Sequence, residues 1–173
     1  MKTMEPVTSA RQWIETLGLR PHPEGGYFRE TYKASEVLSR DCLPARFGDE
    51  RAMCTAIYYL LLANDVSALH RVRQDEILHF YDGAAFSVHV IDPAGNYSMS
   101  RLGRNPGQGE LPQIVVPAGH LFGMKVAEGG AYTLLGCTVA PGFDFADFEM
   151  PSRQDLIGKF PEHRGLIESL TRP

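Results

Sequence analysis

The sequence predicts an all-β barrel or sandwich with short helices at its two ends. Short runs rich in aromatic and β-branched residues follow one another from residue 51 to 139. Turn signals such as Asp82–Gly83, Asp92–Pro93–Ala94–Gly95–Asn96 and Glu128–Gly129–Gly130 separate them, which is the pattern of antiparallel strands. No helical period interrupts the series, so an alternating βαβ chain is disfavoured. With 173 residues the chain is expected to form one domain over 1–173, with a barrel core at about 25–150 and a helical tail at 151–173.

The elements follow in chain order. Ser9 with Gln12 has capping-box spacing, Trp13, Ile14 and Leu17 share one face, and Gly18 can end the helix, so residues 9–17 are expected to be helical. Pro21, Pro23 and Gly25–Gly26 break that pattern, and Tyr27–Ala34 alternates as a strand. Residues 35–50 are polar and broken by Pro44 and Gly48, the length of a lid or binding loop. Seven strand candidates then follow: MCTAIYYLLL, EILHFYD, AFSVHVID, YSMSRLG, QIVVP, HLFGMKV and AYTLLGCTV. Ser152 with Asp155 can cap a helix through Phe160, and Pro161 can begin another with Leu166, Ile167 and Leu170 on its apolar side.

Composition narrows the function classes. A net charge of −4 with no basic run argues against nucleic acid as a partner. The longest apolar run, Ala56–Ala63, is too short to span a bilayer. The N-terminal stretch Met1–Trp13 has no apolar core of a secretory signal. Cys42, Cys54 and Cys137 contain no close-spaced pair, which suits a reducing cytoplasm. A cytoplasmic protein that meets a small molecule, and neither a membrane nor a nucleic acid, is the expectation.

The chemistry gathers in two stretches. In Ser67–Gly83, His70 stands at a strand end and Glu76 at the next strand's start; alternation puts Glu76, Leu78 and Phe80 on one face, with Ile77, His79 and Tyr81 on the other. In Pro117–Phe122, Pro117 and Gly119 turn the chain, and His120, Phe122 and Met124 are expected to share a face. Around these, His22 and Glu24 flank Pro23 before a glycine pair that either lets backbone approach a pocket or makes a sharp strand entry. Gln113 is polar among apolar neighbours. Arg29 and Arg71 are expected to be solvated or salt-bridged, and His79 and His89 to lie on the surface or at an interface. Asp144, Asp147 and Glu149 interleave with Phe143, Phe145 and Phe148; an extended segment laying its rings on the barrel is preferred over a cation site. Cys54 and Cys137 read as small core residues.

These residues resemble the cupin superfamily. Its first motif places a histidine, a second histidine two positions on, a glutamate four later and a glycine seven after that; here the places hold His70, Val72, Glu76 and Gly83. Its second motif, Pro-x-Gly and a histidine three residues after the glycine, is matched by Pro117, Gly119 and Phe122. The blocks PHPEGGYFRETY, SALHRVRQDEILHFYDG and GCTVAPGFDFADFEM are similar to one cupin branch of unknown function, and the resemblance spans roughly residues 11–170. It implies a double-stranded β-helix, or jelly roll, and a homodimer.

The departures from the motif shape the functional expectation. A metal-binding cupin typically uses three histidines and the glutamate, and Val72 and Phe122 cannot ligate. Metal-free chemistry is therefore expected, with no cofactor; if a divalent metal is held, the set would be His70, Glu76 and His120. The first reading is an isomerase or epimerase acting on a sugar-like or carbonyl compound. Its catalytic groups would be His70 as the base and Glu76 as its orienting partner or a second acid–base group, and its ligand-binding residues Glu24, Tyr59, Gln113, His120 and Phe122. Metal-free epimerases similar in fold pair a histidine base with a tyrosine acid, for which Tyr27, Tyr58, Tyr59 and Tyr132 are open candidates. The other readings are a non-catalytic small-ligand cupin and a degenerate metal enzyme.

Overall fold

The computed structural model describes residues 9–172; the reading of the N-terminal stretch as lacking a signal sequence therefore lies partly outside the described residues. Helix α1 (Ala10–Leu17) starts at Ser9, whose hydroxyl accepts from the Gln12 N–H at 3.2 Å while the Gln12 side chain accepts from the Ser9 N–H at 2.7 Å. Gly18 ends the helix in the left-handed region, with φ 61°.

Strands follow: β1 (Arg20–Pro21), β2 (Tyr27–Lys33), β3 (Val37–Leu38), β4 (Arg51–Ala52), β5 (Thr55–Leu62), β6 (Ser67–His70) and β7 (Asp75–Gly83). The second half contains β8 (Phe86–Ile91), β9 (Tyr97–Leu102), β10 (Glu110–Leu111), β11 (Gln113–Val116), β12 (Leu121–Val126) and β13 (Tyr132–Ala140). They form a six-stranded sheet in the order β1-β2-β5-β13-β7-β11 and a five-stranded sheet in the order β10-β9-β8-β12-β6, with β3 and β4 paired apart. Neighbours with distant sequence numbers, such as β5 beside β13, are the crossovers of a jelly roll, as expected.

Alternation decides which side chains enter the space between the sheets. Tyr59 and Leu61 of β5, Leu78 of β7, Phe86 and Val88 of β8, and Leu135 and Cys137 of β13 fill it together with Phe122 and Met124 of β12. The opposite faces are covered by helices. Leu60, Tyr132 and Leu134 pack under α1, whose Trp13 Nε1–H donates to Asp82 at 2.8 Å. Helix α2 (Arg153–Lys159) is capped by Ser152, and after a 3₁₀ turn at Pro161–His163 helix α3 (Arg164–Ser169) follows. Leu156, Phe160, Ile167 and Leu170 cover Leu69, Ile91 and Leu121 on the outside of the five-stranded sheet.

Residues 35–50 differ from the expected lid. They carry β3 and a 3₁₀ turn at Arg40–Cys42, bury Phe47, and contribute nothing to the wall of the cavity described next. Packing of Phe47, with Arg46 and Arg51 over its ring at 4.9 and 5.8 Å, holds the stretch down on the barrel.

Candidate functional site

One end of the barrel holds a cavity of about 90 Å³. Its floor is the inner face of the six-stranded sheet. The register sets Thr55, Val139 and Glu76 in one row across β5, β13 and β7, and Ile57, Cys137 and Leu78 in the next. Val72 and His70 come from β6 and the residues after it, Phe28 and Glu30 from β2, and Phe143, Phe145 and Phe148 form the rim.

The segment Pro21–Gly26 brings His22 and Glu24 to this floor. Gly25 N–H donates to the His22 carbonyl at 3.1 Å, His22 N–H to the Gly26 carbonyl at 3.0 Å, and Ala68 N–H to the Glu24 carbonyl at 2.8 Å, which pins the turn to β6. Gly25 and Gly26 have φ of 121° and 67°. A Cβ on Gly25 would meet the Val66 carbonyl oxygen and the Arg172 guanidinium. Gly25→Ala is expected to lower stability by more than about 1 kcal/mol, read as a lower urea midpoint; an unchanged midpoint would show that the turn tolerates a side chain.

His70, buried at 3% exposure, is held at both ring nitrogens. Nδ1 lies 2.7 Å from the Ala68 carbonyl oxygen, which can only accept, so Nδ1 carries the proton. Nε2 lies 3.0 Å from Glu24 Oε2. Ser67 Oγ–H donates to the other Glu24 oxygen at 2.8 Å. Burial lowers the His70 pKa, partly offset by the charge of Glu76. Burial also raises the Glu24 carboxyl, against the opposing influence of His22 and of hydrogen bonds from Ser67 and Tyr59. Both shifts run toward the uncharged forms of the two groups.

His22 Nδ1 accepts from the Glu24 N–H at 3.3 Å and sits 3.6 Å from Glu24 Oε2, too far for a hydrogen bond to that oxygen. Its ring meets Phe28 edge-on at 4.5 Å and stacks towards Phe145 at 6.2 Å. Burial lowers its pKa, with Glu24 opposing. Both imidazoles are therefore expected to titrate below the ordinary 6.5 in NMR spectra recorded against pH; titration at or above 6.5 would make the Glu24–His70 contact an ion pair. Glu76 is also raised by burial, with His70 opposing and Glu24 adding to the rise, and Cys137 lends it a hydrogen bond. Burial pushes the Cys137 thiol well above 9.0, so it stays protonated beside Glu76.

The predicted residues divide on this geometry. His70, Glu76, Glu24 and Tyr59 meet in the cavity wall. Glu24 is the carboxyl within hydrogen-bond distance of the His70 ring, because the Pro21–Gly26 turn docks beside β6, while Glu76 acts on His70 through its charge. Phe122 is fully buried, its ring 4.1 Å from that of His70, and so supports the histidine without lining the cavity. His120 is corrected: β12 begins at Leu121, so its face is set by the Pro117–His120 turn, and it lies outside the wall with Nδ1 3.3 Å from the Ala118 carbonyl. Gln113 is also corrected. It is an exposed residue of the outer strand β11, opposite His79, because its side chain falls on the outer face of the alternation.

Of the four tyrosine candidates only Tyr59 lines the cavity, and its O–H donates to the Gly25 carbonyl at 2.8 Å. Tyr132 O–H donates to Asp82 at 2.7 Å under α1, and Tyr27 and Tyr58 pack in that same cluster. His79 and His89 lie outside the cavity, bonded to Thr138 at 3.1 Å and Tyr97 at 2.9 Å. Arg29 donates to the Leu17 carbonyl and Arg71 pairs with Glu149, as their expected structural roles require. Cys137 is more than core filling, since it faces the cavity. His22, offered by the sequence only as part of the segment with Glu24, joins the wall, and so does Glu30, which no local signal distinguishes.

The phenylalanine segment behaves as expected. Phe143, Phe145 and Phe148 form a ring cluster with centroids 5.0–6.3 Å apart over the cavity mouth. Its acids are spoken for: Asp144 caps the turn by accepting from Ala146 N–H, Glu149 pairs with Arg71, and buried Asp147 takes Arg51 in two hydrogen bonds of 2.7 Å.

A sequence model described as the Cupin superfamily (DUF985) matches residues 11–151. The chain belongs to that family. A solved structure of protein SO0799 from Shewanella oneidensis superposes on this cupin with a TM-score of 0.87 and 34% identity, covering 96% of this chain and 99% of that one. A hypothetical protein from Leishmania major gives 0.87 and 33%, covering 96% and 100%. The uncharacterized yeast protein YML079W from Saccharomyces cerevisiae is 29% identical over 162 residues, 88% of this chain and 80% of that protein. Oxalate decarboxylase from Bacillus subtilis, at 15% identity, TM-score 0.52 and coverage of 87% and 36%, shares the fold alone.

The cupin's donor set does not fit the metal that the superfamily resemblance implies. Val72 and Phe122 offer no ligating atom and are buried. His70 has both nitrogens engaged, and His120 does not line the cavity. Among the described residues no group of three or more histidine, cysteine, aspartate or glutamate side chains is placed to hold an ion. Among the same residues no helix is long and apolar enough to cross a membrane.

Proposed function

We propose that this cupin is a metal-independent isomerase-type enzyme that moves a proton on carbon beside the carbonyl of a small compound. The observation that carries the reading is the 3.0 Å contact of Glu24 Oε2 with His70 Nε2 at the buried floor of an open cavity. A carboxyl held protonated in an apolar site is an acid suited to a developing oxyanion. A second carboxyl raised towards neutrality is a base suited to a weakly acidic C–H bond. The two are assigned to Glu24 and Glu76.

Glu76 carboxylate takes the proton from the carbon next to the carbonyl. The C–H electron pair forms the C=C bond of an enol as the carbonyl oxygen takes the proton of Glu24. Glu76 then gives its proton to the neighbouring, former carbonyl carbon as Glu24 takes back a proton from the adjacent hydroxyl, which forms the new carbonyl and regenerates both side chains. His70 is a positioning residue: its Nε2, 3.0 Å from Glu24 Oε2, fixes the carboxyl that delivers the proton. Tyr59 is assigned to holding the Gly25 turn rather than to acid catalysis: its O–H lies 2.8 Å from the Gly25 carbonyl, and burial raises its pKa well above 10.0.

The test is incubation of small aldoses, ketoses and hydroxyketones with the protein in deuterated water, read by NMR and mass spectrometry. Deuterium entering carbon next to the carbonyl supports the reading; its absence across the panel overturns it. A non-catalytic ligand-binding cupin is the second reading, favoured by the engagement of both His70 nitrogens within the protein. Tight binding without exchange selects it.

A further inference from the structure

The wall of the cavity holds acids and imidazoles but no permanent cation. Three glutamates and two histidines stand among its fifteen lining residues, and none is lysine or arginine. Arg172 acts on Glu24 only from behind the Gly25 turn, where its guanidinium pairs with Asp65 at 3.4 Å. A phosphate or carboxylate group brought into such a wall finds no cation and no guanidinium fork to receive it.

The mouth is built differently from the floor. A register shift in β2 between Glu30 and Tyr32 interrupts the pairing with β5, and Glu30 joins the wall on the same side as Phe28. Such a bulge re-aims a side chain next to a site. Glu30 is exposed, and its side chain makes no hydrogen bond or ion pair among the described residues. Beside it in the wall stand Phe28, Phe143, Phe145 and Phe148. An unpaired carboxylate that shares a cavity wall with four phenylalanine rings is an arrangement that attracts an organic cation, by charge and through the ring quadrupoles.

We propose that the ligand of this cavity carries an ammonium group, received at the mouth by Glu30 and the phenylalanine rims, on a small apolar body that fills the space below. The inference takes the same cavity as the proposed isomerase and narrows its substrate to an amine-bearing carbonyl compound. It sets aside anionic substrates such as dicarboxylates and sugar nucleotides.

A matched trio tests it: cyclohexylamine, cyclohexanol and cyclohexanecarboxylate at neutral pH, titrated into the protein and followed by amide chemical shifts around the cavity. The amine is expected to bind about tenfold more tightly than the alcohol, and the carboxylate more weakly than either. Glu30→Gln is expected to remove most of the gap between amine and alcohol while the alcohol's own affinity stays within about twofold of the unsubstituted protein's. Equal binding of amine and alcohol, tighter binding of the carboxylate, an unchanged gap in the variant, or no shift with any probe overturns the proposal. The measurement needs no turnover. An amine preference without solvent exchange removes the isomerase reading and leaves this one; exchange on a carbonyl compound without an amine preference does the reverse.

Discussion

Glu24→Gln is expected to cut solvent exchange by about 10²–10⁴-fold, the range of a lost acid–base group, while the protein keeps its fold. The amide has the shape of the carboxyl. Its oxygen can still accept from Ser67 Oγ, and its NH₂ can donate to His70 Nε2, so both contacts of 2.8 and 3.0 Å can persist. What disappears is the proton that Glu24 gives to the ligand. The check pairs an exchange assay with a urea titration: activity retained, or a midpoint far below that of the unsubstituted protein, would refute the assignment. His70→Ala acts one step further away. It leaves the buried Glu24 carboxyl without its basic partner, so the pH–rate profile should move as well as the rate. A purely structural histidine would lower stability and leave the profile of the remaining activity in place.

The second large effect concerns the rim. Asp147→Asn is expected to destabilise the protein by about 3–5 kcal/mol, because it leaves the buried Arg51 guanidinium without its counter-charge. Arg51 is 6% exposed and Asp147 3%, and Gln74 adds a third hydrogen bond to the same carboxylate at 2.7 Å. Thermal or urea unfolding measures the loss. Replacing Arg51 by methionine and Asp147 by leucine together should recover most of it, since a paired apolar replacement leaves no unmatched charge. A single variant as stable as the unsubstituted protein would overturn this account.

The pH sign follows from the same contacts. Burial pushes the Asp147 carboxyl up, but hydrogen bonds from Arg51 and Gln74 and the charges of Arg51 and Arg73 more than reverse it and hold it below the ordinary 3.8. With its folded pKa below the unfolded one, this pair stabilises the fold above about pH 3.8 and loses that contribution as pH falls through the folded value.

The fold was legible because its signals are local. The period-two runs became β2, β5, β7, β8, β9, β11, β12 and β13 in place, and the capping box at Ser9 and the cap at Ser152 began helices where their spacing required. The short strands β1, β3, β4 and β10 carry too few residues to show a period. The site was half legible. His70, Glu76, Glu24 and Tyr59 could be picked out one by one from motif and punctuation. That Glu24, and not Glu76, faces His70 depends on how a turn 46 residues upstream docks on β6, a distance over which sequence spacing carries no geometry. His120 and Gln113 failed for the opposite reason. Their neighbours alternate cleanly, but one residue precedes its strand and the other belongs to its outer face.

The lone tryptophan has a use that concerns neither catalysis nor stability. Trp13 is anchored through its indole N–H to Asp82, against the outer face of the six-stranded sheet, and it takes no part in the cavity wall. Because the chain holds no other tryptophan, its emission is an optical label for the docking of α1. It reports on the side of the sheet that ligands do not touch, so fluorescence and cavity chemical shifts watch two faces of one sheet independently.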